Sequence, residues 1–314
     1  MKYYPEGHLL QTKENLSAMQ SLSTLAESMK QQRILEAKAQ LCDSSHNLIV
    51  NLHGVRGIIP REEGALGIRE GTVRDIAVIT RVNRPVSFVI DRIEKDETGA
   101  PLVWLSRRKA QKRCQQEYLS TLRPGDVIPA RVTHLEPFGA FVDIGCGNIA
   151  LIPIDSISVS RIDHPSQRYH VDDDIRVVVK SIHAGRITLS QKDLLGNWLE
   201  NANCFHAGET TTGIVRSVEN YGIFVELAPN LAGLAEWKAD IHPGHLVSVY
   251  IKSIVPSRMK VKLIIIEEFD SAPFCAPKPF FQENHMDAFL YSPSMCDKRI
   301  ETIFCPESCS TASD

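Results

Sequence analysis

Apolar residues along the first forty positions recur at three- and four-residue spacing. Leu16, Met19, Leu22, Leu25, Ala26 and Met29 would share one face of a helix, so the spacing predicts helix from residue 14 toward residue 40. From Ile34 the pattern changes to short runs such as Asn47-Leu48-Ile49-Val50, Asp75-Ile76-Ala77-Val78-Ile79, Val86-Ser87-Phe88-Val89-Ile90 and Val103-Trp104-Leu105. Gly, Pro, Asn and Asp interrupt them about every ten residues, which predicts a small barrel or sandwich of strands. A charged, glutamine-rich stretch between Arg107 and Leu122 reads as a linking helix. A second strand pattern fills Gly125 to Ser190, a short linker covers Gln191 to Asn203, and a third strand pattern runs from Gly208 to about Ile266. The tail after Glu267 has no sustained period.

The second and third patterns are copies of one another. Gly125 through Ile144 aligns without gaps on Gly208 through Leu227, and the register holds to Leu151 opposite Leu234. Lys180-Ser181-Ile182 then matches Lys252-Ser253-Ile254 at a smaller offset, so the third unit has lost residues between its strands. Gly57-Ile58-Ile59-Pro60 parallels Ala150-Leu151-Ile152-Pro153, and Leu105-Ser106 parallels Leu189-Ser190. Three copies of one small β unit account for most of the chain, from about residue 34 to 266.

The motif Phe138-Gly139-Ala140-Phe141-Val142-Asp143, with Gly125-Asp126, Val132, Leu151-Ile152, His164-Pro165 and Gly185-Arg186-Ile187-Thr188-Leu189-Ser190, resembles the S1 RNA-binding domain, a five-stranded barrel of the OB type. The third unit matches at Gly208, Val215, Tyr221-Gly222, Phe224-Val225, Gly233-Leu234 and Lys252. The first is degenerate and lacks the paired aromatics. Three tandem units behind a helix resemble the short ribosomal-protein-S1 homologues of Gram-positive bacteria. The resemblance implies a mainly β chain of three tandem S1-type OB barrels with an N-terminal helix and short linker helices. The expected divisions are 1–33 helical, 34–107 first barrel, 108–122 linker helix, 123–192 second barrel, 193–204 linker, 205–267 shortened third barrel and 268–314 tail. In the family two aromatics, a histidine, an aspartate and an arginine converge on the RNA face. Carried over, the aromatics are Phe138 and Phe141, then Tyr221 and Phe224. The histidine is replaced by Pro153 and Glu236, the aspartate falls near His183 or Val255, and the arginine is Arg186 with Lys260 as its counterpart.

The residues support the same site on physical grounds. Strand alternation turns Val142 and Ile144 inward, and Phe141 and Asp143 outward; Phe224 and Glu226 repeat this around Val225. Phe138 lies three positions before Phe141, on the opposite face by strict alternation, but a turn at Gly139 can bring both rings together. Two exposed rings make a platform on which bases stack with about 1–3 kcal/mol each; the alternative is that both rings are core. Phosphate neutralisation needs cations, for which the candidates are Arg131, Lys180 and Arg186 in the second unit and Arg216, Lys252 and Lys260 in the third. Asp143 and Glu226, on the same outward face, would count against RNA. The densest basic cluster is Arg107-Arg108-Lys109 with Lys112 and Arg113, either an rRNA contact or a solvated helix face.

Composition narrows the partners. The chain has 314 residues, 43% hydrophobic and 23% charged, with a formal net charge of -3, so a globally basic coat is excluded and any anion site is local. No apolar run approaches a membrane span, and no export signal is visible near Met1. The eight cysteines are then expected to be reduced thiols in a cytoplasmic protein. Cys275, Cys296, Cys305 and Cys309 with His285 invite a zinc reading, but no Cys-x-x-Cys pair exists, so neither metal nor other cofactor is expected. No stretch matches a phosphate loop or a nucleophile elbow, and no catalytic residue is assigned. The expectation is a non-enzymatic single-stranded RNA or mRNA binder of the translation machinery that partners the small ribosomal subunit. The alternatives are a ribosome-independent RNA regulator or RNA-decay accessory protein and, more remotely, a Cys/His metal-dependent enzyme.

Overall fold

The computed structural model describes residues 3–270 and 276–304. Cys275, Cys305 and Cys309 lie outside the described residues. The chain begins with two short helices, α1 (Lys13–Ala18) and α2 (Leu22–Lys30). The spacing of apolar residues predicted one helix here. It breaks because Ser21 is a better cap than a helix interior residue: its side chain accepts from the Thr24 N–H while the Thr24 hydroxyl receives the Ser21 N–H. By Leu35 the chain is already strand.

Three closed five-stranded barrels follow. The first is built from β1 (Leu35–Cys42), β2 (Leu48–Leu52), β3 (Val55–Ile59), β4 (Pro85–Lys95) and β5 (Pro101–Ser106), while Ile76–Ile79, expected as strand, forms a helical turn, α3, between β3 and β4. Helix α4 (Arg107–Glu117) leads to the second, of β6 (Val127–Glu136), β7 (Gly139–Asp143), β8 (Ile149–Pro153), β9 (Asp174–His183) and β10 (Arg186–Ser190). After α5 (Trp198–Ala202) comes the third: β11 (Thr210–Glu219), β12 (Gly222–Ala228), β13 (Leu231–Ala235), β14 (Leu246–Val255) and β15 (Lys260–Phe269). Each barrel closes in the order first, second, third, fifth, fourth. In each the third and fifth strands run parallel. The repeat in the sequence is thus a repeat in topology, and the mainly β, three-barrel expectation holds.

Alternation fills the interiors. Val50, Phe88, Val103 and Leu105 are buried in the first barrel, Val132, Val142, Ile152 and Val177 in the second, and Val215, Val225, Val249 and Leu263 in the third. The loop between third and fourth strands differs most. In the second barrel residues 154–173 carry two 3-10 turns, Ile154–Ser156 and Pro165–Gln167, whereas in the third residues 236–245 run directly into β14.

The tail is not the aperiodic appendage its sequence suggested. It holds a small hairpin, β16 (Ala288–Leu290) and β17 (Glu301–Ile303), and Met286 and Phe304 are buried with Val127, Val178 and Leu194. Its apolar residues pack singly against another surface, so no helix or strand period marks them.

By contacts along the backbone the chain forms two compact units. One takes in the residues up to Leu122 with Pro129–Arg131 and Asp143–Ile149; the other takes in Arg123–Ile128, Val132–Val142 and the chain from Ala150 onward. Among the described residues no helix is long and apolar enough to cross a membrane.

Candidate nucleic-acid interface

The two ring pairs meet as the glycine argument required. Phe138 and Phe141 have centroids 5.8 Å apart at 87°, and Tyr221 and Phe224 have centroids 6.2 Å apart at 86°. Neither pair is core, since Phe138 is 56% exposed, Tyr221 is 70% exposed, and Phe141 and Phe224 are half-buried. Glycine between the rings is a steric necessity. A Cβ on Gly139 would stand 2.4 Å from the Ile152 carbonyl oxygen, and one on Gly222 would stand 2.5 Å from that of Ala235. Only a bare Cα lets the third strand approach so closely while the preceding ring swings to the outer face. His134 adds a third ring in the second barrel, stacked on Phe141 at 6.4 Å.

The acidic residue two positions after each inner ring does not behave as alternation suggested. Asp143 and Glu226 point away from the barrel interior, yet they are only 2% and 5% exposed. Asp143 accepts from the backbone N–H groups of Glu6, Gly145 and Gly147. Glu226 Oε2 accepts from Arg168 Nη2 and Arg216 Nε, each at 2.6 Å. Both carboxylates are buried and hydrogen-bonded, so neither presents a negative charge at the surface beside the rings.

The same cluster withdraws Arg216 from the expected phosphate contacts. Its side chain is 9% exposed, with Nη1 on Gln167 Oε1 at 2.8 Å. Burial pulls the Arg168 guanidinium below its ordinary pKa, against the opposing pull of Glu226. Arg131 is also engaged elsewhere, its Nη1 donating to the Glu6 carbonyl at 3.1 Å. Arg176 on β9 likewise donates to the carbonyls of Phe281, Gln282 and Glu283 in the tail. On α4 the basic run is mostly committed: Arg107 is buried against Glu6, Arg108 pairs with Glu70, Lys109 with Asp91 and Arg113 with Glu117, while Lys112 is exposed. A basic residue is equally basic on paper whether solvated or paired, so the string of letters could not separate these roles.

What remains is concentrated on the third barrel. A groove of about 770 Å³ is lined by Tyr221 and Phe224 together with Lys252, Arg258, Lys260, Lys262 and Lys298. Lys298 comes from the tail, and sequence reasoning missed it because its place depends on how the tail packs. Glu236, where the family has histidine, also lines the groove, with its carboxylate 3.7 Å from Lys252 Nζ. The second barrel presents its rings with fewer cations. Arg186 is exposed on the β9–β10 hairpin, and Lys180 Nζ donates to Ser156 Oγ at 3.1 Å.

Comparison with known proteins bears on the second barrel and on the chain as a whole. The family model described as S1 RNA binding domain matches residues 121–191. The chain is 29% identical over 277 residues to small ribosomal subunit protein bS1 of Staphylococcus aureus, covering 82% of this chain and 68% of that protein. With the bS1 of Leuconostoc lactis it is 35% identical over 194 residues, 60% of this chain and 43% of that one. Among solved structures, a multidomain protein with nucleic acid binding domains from Streptococcus pneumoniae aligns over 75% of this chain and 74% of its own, at 13% identity and a TM-score of 0.24. The segment bearing Phe138, Phe141 and Arg186 therefore matches the S1 RNA-binding domain, within a chain similar in sequence to the small ribosomal subunit protein bS1 of Staphylococcus aureus and Leuconostoc lactis.

Proposed function

We propose that the chain binds single-stranded RNA, mRNA in particular, along the ring faces of the second and third barrels, in association with the small ribosomal subunit. The carrying observation is the duplicated ring pair, set edge to face at the same place on two barrels and joined on the third by a cation-lined groove. Bases have a π-face whatever their identity, so such rings favour binding with little sequence preference, and the lysines favour the backbone. The names of the bS1 relatives support the ribosomal assignment. The first barrel and the N-terminal helices, without a ring pair, are assigned to docking on the larger partner.

Sequence considerations rank the second barrel above the third, because it keeps Phe138, Phe141, Arg186 and the Leu189-Ser190 ending. The groove and its five cations support the opposite ranking, which is the one proposed here. The test is titration of the full chain with single-stranded RNA oligonucleotides over a salt series. Replacing Tyr221 and Phe224 with alanine should weaken binding by about 1–3 kcal/mol for each base stacked. The Phe138/Phe141 pair should cost less. Lys260→Ala should weaken all sequences alike and flatten the salt dependence by about 0.7 in log–log slope. A Tyr221/Phe224 variant that stays folded and binds normally would remove the rings from the interface. Co-sedimentation of the same variants with small subunits separates ribosome docking from RNA binding.

A further inference from the structure

The shortened loop of the third barrel brings together three side chains that the RNA face does not use. His242-Pro243-Gly244-His245 forms a tight turn directly before β14, and Glu268 lies on β15, with Leu246 paired to Phe269 and Val247 to Glu268. The turn is held from outside. The Gly244 N–H donates to the Val215 carbonyl at 2.7 Å, and the Val215 N–H donates to the His245 carbonyl at 3.0 Å. Gly244 has φ +88°, a conformation that favours glycine. The two imidazoles lie side by side, tilted 42° to each other, with centroids 5.2 Å apart.

Glu268 Oε1 receives the backbone N–H of His242 at 2.7 Å, and it lies 3.4 Å from His242 Nδ1 and 3.1 Å from His245 Nδ1. His245 Nδ1 is closed to solvent and makes no hydrogen bond, even with that oxygen so near. A proton on the nitrogen is therefore not aimed at the carboxylate, and a lone pair there would lie beside it. A cation among the three donors answers both problems. In a tetrahedral zinc site with bonds of about 2.0–2.1 Å, donor atoms stand ~3.3 Å apart, close to the two nitrogen–oxygen separations here.

We propose that His242, His245 and Glu268 bind one divalent transition-metal cation, with zinc the best fit and water completing the shell. Two imidazoles and one carboxylate suit a borderline cation, whereas magnesium and calcium prefer all-oxygen shells. The cation would staple the shortened loop to the last strand of the barrel, and because it binds only the folded arrangement it would stabilise that arrangement. Sequence reasoning looked for metal ligands in the cysteine-bearing tail. The His-x-x-His spacing was visible, but its third ligand comes from a strand 23 residues onward that only folding brings near.

The experiment uses the full chain, stripped with chelator and reduced, titrated with Zn²⁺ by calorimetry and with Co²⁺ by visible absorption. One equivalent should bind, the cobalt form should give the intense bands of a four-coordinate centre, and zinc should raise the melting temperature. His245→Gln and Glu268→Gln should each weaken binding at least tenfold and abolish the thermal shift, while circular dichroism remains native. Wild-type titration curves in both variants would overturn the proposal, as would absence of saturable binding up to millimolar zinc. Binding that survives in His245→Gln but is lost on alkylating the thiols would place the metal on cysteine and equally overturn it.

Discussion

Glu226→Ala should be among the most destabilising single changes in the second compact unit, although the residue sits on the outer surface of a barrel strand. The carboxylate neutralises two guanidinium groups at once, through two contacts of 2.6 Å. Arg168, Arg216 and Glu226 are 3%, 9% and 5% exposed, so water cannot take over. After truncation Arg168 would retain Ser158 Oγ, at 3.4 Å, and Arg216 would retain Gln167. Removing one partner of a buried ion pair costs about 3–5 kcal/mol; the two arginines share a single carboxylate, so the figure is not doubled. For a unit of this size each kcal/mol lowers the melting temperature by about 2–4 °C, giving a drop of about 6–20 °C. Glu226→Gln keeps an acceptor but loses the charge and should fall between. Adding Arg168→Met to Glu226→Ala should restore part of the loss, because it removes one stranded charge. The assay is scanning calorimetry of the full chain at neutral pH, with exposed Glu219→Ala as control. A Glu226→Ala variant that melts within about 2 °C of wild type would mean the cluster is worth no more than a solvated surface pair.

Two further outcomes are expected. Burial, with Glu6 nearby, raises the Glu36 carboxyl from its ordinary 4.5 to about 7; the folded state then holds a proton that the unfolded state has released, so this contribution is full below about pH 4.5 and lost as pH rises through 7. Glu36→Gln, whose carbonyl can keep the Gly7 and Leu9 N–H bonds, should flatten the pH–stability profile over that range and raise stability at pH 8 by about 1–3 kcal/mol; an unchanged profile would show that Glu36 ionises freely. Arg176→Ala removes the donor to three tail carbonyls and should speed limited proteolysis between residues 276 and 304 severalfold, read by mass spectrometry; unaltered cleavage would mean the apolar contacts of Met286 and Phe304 hold the tail alone.

The barrels and ring pairs were legible in the sequence because both depend on local rules. Alternation places Val142 and Val225 inside, and a glycine between aromatics announces a parity break that the 5.8 Å and 6.2 Å ring contacts bear out. Alternation tells which way a side chain points and nothing of what lies beyond it. That is why Asp143 and Glu226 read as surface acids and prove to be buried anchors, and why Arg131 and Arg216 read as free cations. The groove cation Lys298 and the juxtaposition of His242, His245 and Glu268 depend on long-range packing and carry no local signature. The split of the first helix was available in principle, since Ser21 and Thr24 have capping-box spacing, but the apolar period ran across it.

On β12 the ring of Phe224 and the anchor Glu226 are two residues apart, with the anchor clamped to Arg168 in the β8–β9 loop of the preceding barrel. A ligand gripping the ring therefore tugs on a strand already pinned to its neighbour. If RNA binds the rings as proposed, the distance a nucleotide chain must travel from Phe138 to Tyr221 is preset rather than searched for. The pair would then act as a ruler, not as beads on a string: a strand seated on one barrel would meet the next at high effective concentration if its length matches the gap and gain nothing if it is shorter. Affinity plotted against oligonucleotide length should then rise in a step, and loosening the pin at Glu226 should turn that step into a slope.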